Sequence, residues 1–152
     1  IPVDVAGTSF DFAISLPSIY QSLTEYPSEK VIVFLDACFT GGARNSSLVS
    51  TRAVRVRPKQ EANYGNNLVV FSSSNSEQSS LPYKEKNHGL FTYYLISKFI
   101  ESKGTVKLGE LDEYLRSKVP LTSILINKTE QIPTVIYSPN VSEKWKDWSL
   151  NK

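Results

Sequence analysis

Val31-Ile32-Val33-Phe34-Leu35 is an unbroken apolar run of strand length, held between Lys30 and Asp36. A strand with one wet face alternates apolar and polar residues, so a continuous run predicts a strand covered on both sides, as in a parallel sheet. Such a sheet needs helices on its two faces, and the flanking sequence supplies them. Leu16, Ile19, Tyr20 and Leu23 fall at helical spacing within a segment from about Ile14 to Tyr26. Ser15 is placed to cap that helix, with Pro17 in its first turn and Pro27 ending it. Leu68-Val69-Val70-Phe71 predicts a second buried strand, followed by the polar run Ser72 to Ser80. Leu90, Phe91, Tyr94, Leu95 and Phe99 give a helical face from Gly89 to Ile100. Leu108, Leu111, Tyr114 and Leu115 give another from Val106 to Val119, expected to stop before Pro120. Ile132 to Tyr137 predicts a last short strand, its Pro133 favouring a sheet edge. Strands alternating with helices imply an α/β fold, here a three-layer αβα sandwich with a mostly parallel sheet. Residues 41–66, rich in Gly, Ser, Asn and Arg without periodicity, read as one long loop. No repeat or linker divides the 152 residues, enough for a single domain.

In sheets of this kind the chemistry lies beyond the carboxyl ends of the strands. Asp36-Ala37-Cys38-Phe39-Thr40-Gly41-Gly42 occupies that place after the most apolar strand of the chain. The strand would hold the Cys38 thiol rigidly, and the glycines would let the backbone turn closely round a substrate carbonyl. The Cys38 backbone N–H, with Gly41 as a further candidate donor, would then face the developing oxyanion. The plain alternative is that a lone cysteine after a strand is a small buried apolar residue.

The residues around Cys38 decide between these. The run from Val31 to Gly42 resembles the nucleophile strand of metacaspases and bacterial orthocaspases, in which an apolar strand leads into an Asp-Ala-Cys-His-Ser-Gly type of signature. Phe39 and Thr40 stand where that signature has His and Ser. Downstream, Phe71 to Ser80 and then Gly89-Leu90-Phe91-Thr92-Tyr93-Tyr94-Leu95 look like the next strand, substrate loop and helix of the same family. Gln131-Ile132-Pro133-Thr134 resembles its final strand region. The similarity runs in order from residue 1 to about 138. It implies that residues 1–152 are the carboxy-terminal part of one caspase-like cysteine peptidase domain.

Several expectations follow from the resemblance. A thiol needs a base to become a thiolate at neutral pH, and in caspases the histidine stands about 50 residues before the nucleophile. That places it ahead of residue 1, so the base belongs to an amino-terminal part of the same domain, on the same precursor or a second chain. The opening Ile1-Pro2-Val3-Asp4 reads like the middle of a protein, and the chain as given is expected to be inactive by itself. His88 is the one histidine in the sequence. It reads as a solvated residue before a helix, downstream of the nucleophile rather than upstream of it. Asp36 stands where aspartate-directed caspases resemble one another in having Gln. It would repel acidic side chains and pair with a guanidinium or ammonium, against the plain reading of an Asp that accepts turn N–H groups. Ser73 and Ser74 are candidates for the backbone wall of the substrate pocket, and Glu77 and Gln78 for acceptors at its rim.

No metal site is expected. Asp4 and Asp11 are present, but position 45 is Asn and no adjacent Asp pair opens the first helix. Calcium needs several oxygen ligands together, and no Cys/His spacing suits zinc. No cofactor is therefore expected. A net charge of +2 argues against nucleic acid or an anionic membrane as partner. One cysteine excludes an intrachain disulfide. With no signal segment and no apolar run near the roughly 20 residues of a membrane span, a cytoplasmic location is expected. Trp145 and Trp148 are read either as a partner-binding stripe or as a tail packed on its own domain.

The leading functional expectation is an endopeptidase cutting protein or peptide substrates after Arg or Lys through a Cys-His dyad. The alternatives are a caspase-like scaffold that binds without cleaving, and a module of a larger bacterial defence or signalling protein. Loop 43–67 carries Arg44, Arg52, Arg55, Arg57 and Lys59 against one acid, Glu61. It joins the two strands of the site where the resemblance to caspases puts an activating cut, which makes it a candidate self-processing segment, against the plain reading of a solvated basic loop.

Overall fold

The computed structural model describes residues 14–37, 65–75 and 78–151. Cys38, Gly41 and Glu77, and all of the basic loop up to residue 64, lie outside the described residues.

The first helix, α1, runs Leu16–Glu25, and the Ser15 side chain accepts from the Ser18 N–H at 3.2 Å as an N-cap. Pro17 fills the first turn, where its missing N–H costs nothing. Pro27 pushes Tyr26 into an extended conformation, and the helix ends there. β1 (Val31–Leu35) and β2 (Leu68–Ser72) pair in parallel, with Val31 opposite Leu68 and Leu35 opposite Ser72. β5 (Thr134–Tyr137) joins the other edge of β2 antiparallel, giving the order β1-β2-β5. Pro133 precedes this outer strand, where the donor it lacks is not missed. Between them lie a small hairpin of β3 (Pro82–Tyr83) and β4 (His88–Gly89), then α2 (Leu90–Ser102) and α3 (Leu108–Asn127).

Alternation along the strands sorts the side chains into two cores. Val69 and Phe71, with Ile32, Phe34 and Val135, face Leu90, Phe91 and Leu95 of α2 and Leu108, Leu111, Leu115 and Val119 of α3. Leu68 and Val70, with Val31, Val33, Leu35 and Ile136, face Tyr20 and Leu16 of α1. Helices thus cover both sheet faces, the three layers that the unbroken apolar run demands. One expectation is modified. β2 is buried at 68–71, but β1 is only half-buried throughout. Among the described residues β2 alone pairs with β1, so one edge of that strand keeps partial exposure.

The expected stop at Pro120 is also corrected: α3 continues for two further turns. Proline removes one helical hydrogen bond and crowds the preceding turn, at a cost of about 3 kcal/mol. The extension is anchored by tertiary contacts that offset it. Val119 and Ser123 are buried on either side of the proline, the Ser123 hydroxyl donates to the Thr129 carbonyl at 2.6 Å, and the Asn127 amide donates to the Pro82 carbonyl. Of the two readings of the tail, packing on its own domain is the one observed for Trp145. Its ring is buried, stacks on Tyr137 at 5.4 Å and meets Phe71 edge-on, while the Trp148 carbonyl accepts from the Leu108 N–H at 2.7 Å.

Candidate active site

The carboxyl ends of β1 and β2 lie side by side, and the pairing continues past the strands: the Ser73 N–H donates to the Leu35 carbonyl at 2.8 Å. Asp36, the first residue after β1, is therefore fixed at its backbone by the ladder behind it. Its side chain is half-buried and meets two hydroxyls from distant parts of the chain. Ser80 donates to Oδ1, and Thr92, in the first turn of α2, donates to Oδ2 at 2.5 Å. Gly89 closes the third side. A methyl built on it would overlap Asp36 Oδ2, although its φ of −63° is ordinary for any residue. Glycine is required there for space and not for backbone freedom.

Ser80 is 2% exposed, and its position is secured by its neighbour. The Leu81 N–H donates to Gln131 Oε1 at 2.9 Å, and the Leu81 carbonyl accepts from the Leu90 N–H at 2.8 Å. Gln131 is wholly buried, and its amide nitrogen donates to the Ser73 carbonyl at 2.9 Å. One side chain thus clasps both ends of the 73–81 segment. Gln78 mirrors it: its Oε1 accepts from the Ile132 N–H at 2.7 Å and its Nε2 donates to Glu130 at 3.0 Å. The two glutamines cross-brace the segment against the residues leading into β5.

Against the sequence expectations, Asp36, Ser73 and Ser74 are brought together at the ends of adjacent strands. Ser73 and Ser74 are buried; the Ser74 hydroxyl donates to the Gln78 carbonyl at 3.1 Å, and among the described residues the Ser73 hydroxyl has no hydrogen-bond partner. Gln78 spends both ends of its amide on Glu130 and Ile132 rather than presenting them at a rim. Cys38, its N–H, Gly41 and Glu77 fall outside the described residues. Ser80, Gly89, Thr92 and Gln131 carry the observed geometry without having been assigned a role from sequence. The only signal was their place inside Phe71 to Ser80, Gly89-Leu90-Phe91-Thr92 and Gln131-Ile132-Pro133. His88 is exposed on β4, opposite Tyr83. Successive strand residues point to opposite faces, so with Gly89 turned to Asp36 the His88 side chain is directed away from it.

Among the described residues no group of three or more His, Cys, Asp or Glu is placed to hold a metal. No helix there is long and apolar enough to cross a membrane. Two shallow concavities, one by Glu29, Lys30 and Asn151 and one by Thr24 and Asn67, sit toward the start of β1 and β2. That is the end of the sheet opposite to where ligand chemistry lies in this architecture.

The Gln131 brace makes a stability prediction. Gln131→Leu keeps most of the volume but removes the partner of the buried Ser73 carbonyl and of the half-buried Leu81 N–H. The full-length protein is expected to lose about 2 kcal/mol or more, read as a lower urea midpoint at unchanged slope. An unchanged midpoint would show that water or relaxation satisfies both groups.

No curated protein and no solved structure matches the chain. A model of the caspase domain matches residues 2–143, so the match takes in the strand before Cys38, the braced segment, Gly89 to Leu95 and the Gln131 region together. With its αβα layering and its candidate site at the strand ends, the chain belongs to the caspase domain family of cysteine peptidases.

Proposed function

We propose that this chain carries the nucleophile and the specificity residue of an endopeptidase that cuts after Arg or Lys. The observation that carries this reading is the Asp36 carboxylate, half-buried at the end of β1, oriented by two hydroxyls and placed two residues before Cys38 in the chain. A carboxylate in a partly dry site attracts a guanidinium or ammonium and repels the side chain of Asp or Glu.

In the chemical sequence, Cys38 loses its proton to a histidine base, and the thiolate attacks the scissile carbonyl. The Cys38 N–H, with Gly41 as a second donor, stabilises the tetrahedral oxyanion. Collapse expels the amine, which takes the proton back from the base, and water then hydrolyses the thioester. The base lies upstream of Ile1, at the spacing usual for caspases. The exposure of His88, and its direction away from Asp36, support that assignment. Ser73 and Ser74 supply the main-chain wall beside the substrate.

A panel of fluorogenic peptides tests this on the full-length protein. Peptides ending in Arg and Lys are expected to be cleaved at least about 100-fold more efficiently than those ending in Asp or Gln, since the wrong group leaves the carboxylate unpaired or repelled. Preference for Asp would overturn the specificity. Absence of all cleavage, with a reactive thiol still present, would favour the binding scaffold instead.

A further inference from the structure

We propose that Ser80, Thr92 and Gly89 form a carboxylate clamp that makes Asp36 selective for Arg over Lys. This rests on the reading of Asp36 as the residue that receives the substrate's cation.

The argument starts from the torsion that the clamp controls. The last torsion of an Asp side chain is broad and only twofold, so an unsupported carboxylate sweeps through many orientations. Here each oxygen has its own donor: Ser80 on Oδ1 and Thr92 on Oδ2. The two donors come from segments 44 and 56 residues away along the chain. Pulling on both oxygens fixes the plane of the carboxylate, and Gly89 leaves the room that this plane needs. Hydroxyl donors do this without bringing any positive charge of their own.

A fixed plane matters unequally to the two basic side chains. A guanidinium is a planar fork that makes two parallel N–H···O bonds only when both carboxylate oxygens lie in its plane. An ammonium is a compact charge with three rotatable donors and accepts almost any carboxylate orientation. Preorganising the acceptor reduces the ordering cost of the forked complex far more than that of the point contact. Ser80 and Thr92 are accordingly positioning residues acting through Asp36. Loosening them should lower the preference for Arg while sparing Lys.

The test uses the full-length protein with matched Arg and Lys peptides, separating kcat from KM. Ser80→Ala and Thr92→Val, singly and together, are expected to raise KM for the Arg peptide, about tenfold for the pair, with little change for Lys. Alkylation of Cys38 by iodoacetamide should keep its rate. Thr92→Ser, which restores a hydroxyl, should recover the Arg preference. Gly89→Ala supplies an independent arm, because it displaces Oδ2 while leaving both hydroxyls, and it should lower the Arg:Lys ratio in the same direction. Equal losses on both peptides together with slower alkylation would make the clamp a folding device and overturn the proposal. An unchanged Arg:Lys ratio in folded variants would also overturn it. A parent enzyme with no preference for basic residues removes the Asp36 reading and the clamp with it; a basic-specific parent with indifferent variants removes the clamp alone.

Discussion

Replacing Cys38 by Ala in the full-length protein is expected to abolish peptide cleavage, a loss on the order of 10⁴-fold or greater. The residual rate of an enzyme without its nucleophile comes only from binding and oxyanion stabilisation, since no covalent intermediate can form. An electrophilic inhibitor with Arg at the scissile position should label Cys38 in the parent and nothing in the variant. Loop 43–67 offers an internal readout. If it is processed by the same activity, new chain ends after Arg52, Arg55, Arg57 or Lys59 should appear in the parent and be absent from Cys38→Ala, as mapped by mass spectrometry. His88→Ala in the same assay should retain cleavage, because His88 is exposed on β4 and strand alternation turns it away from Asp36. Labelling at another residue, or full activity in Cys38→Ala, would remove the nucleophile assignment. Collapse of activity in His88→Ala with an unchanged melting temperature would move the base onto this chain.

The second large effect belongs to Asp36. Asp36→Ala is expected to reduce kcat/KM for Arg and Lys peptides by about 10²- to 10⁴-fold, because the substrate's cation is then left desolvated with no counter-charge. Asp36→Asn refines the result: it keeps an acceptor oxygen near Ser80 and Thr92 but removes the charge, so it should lose nearly as much as Ala. Cys38 should still react with a small neutral alkylator at close to the parent rate in both variants. That separation is the decisive measurement. Ser80, Thr92 and Gly89 gather round one carboxylate, and the same picture would arise if Asp36 merely held three segments together. Equal loss of cleavage and thiol reactivity, with a lowered melting temperature, would establish that structural role and end the specificity reading.

The sandwich itself was legible from short stretches of the chain. Val31–Leu35 and Leu68–Phe71 read as strands covered on both faces, and the structure pairs them in parallel, with β1 half-buried and β2 buried at 68–71. Ser15, Pro17 and Pro27 marked the ends of α1 because capping and the proline ring act within a turn or two. Periodicity placed α2 and the first half of α3, since 3.6-residue spacing is a property of the sequence before any partner is present. Asp36 could be placed at the end of β1 for a related reason, since a polar residue closing an apolar run is a local signal, whereas the role expected for Cys38 came from the resemblance of its neighbours and not from its position alone. Pro120 marks where this kind of reading stops. Its steric cost is local and visible, whereas what outweighs it, the burial of Val119 and Ser123 and the bond to Thr129, exists only once α3 lies on the sheet.

The same division runs through the site. Serine, threonine and glutamine in a polar run look alike in sequence whether they face water or a buried partner, because the hydroxyl or amide is satisfied either way. Nothing local distinguishes Ser80 from Ser79, or marks Thr92 as the donor to a carboxylate more than fifty residues earlier. Gly89 has an unremarkable backbone angle, so its requirement for glycine appears only when Asp36 arrives against it. Gln131 and Gln78 read as ordinary polar residues until the 73–81 segment meets the residues leading into β5 and turns them into braces. The sequence alone determined the layers, the apolar strand that leads to Asp36 and the residue types at its end, through sterics and periodicity that act over a few residues. Tertiary structure alone decided which hydroxyls, amides and missing side chains surround Asp36, because those contacts depend on bringing together segments that no local rule connects.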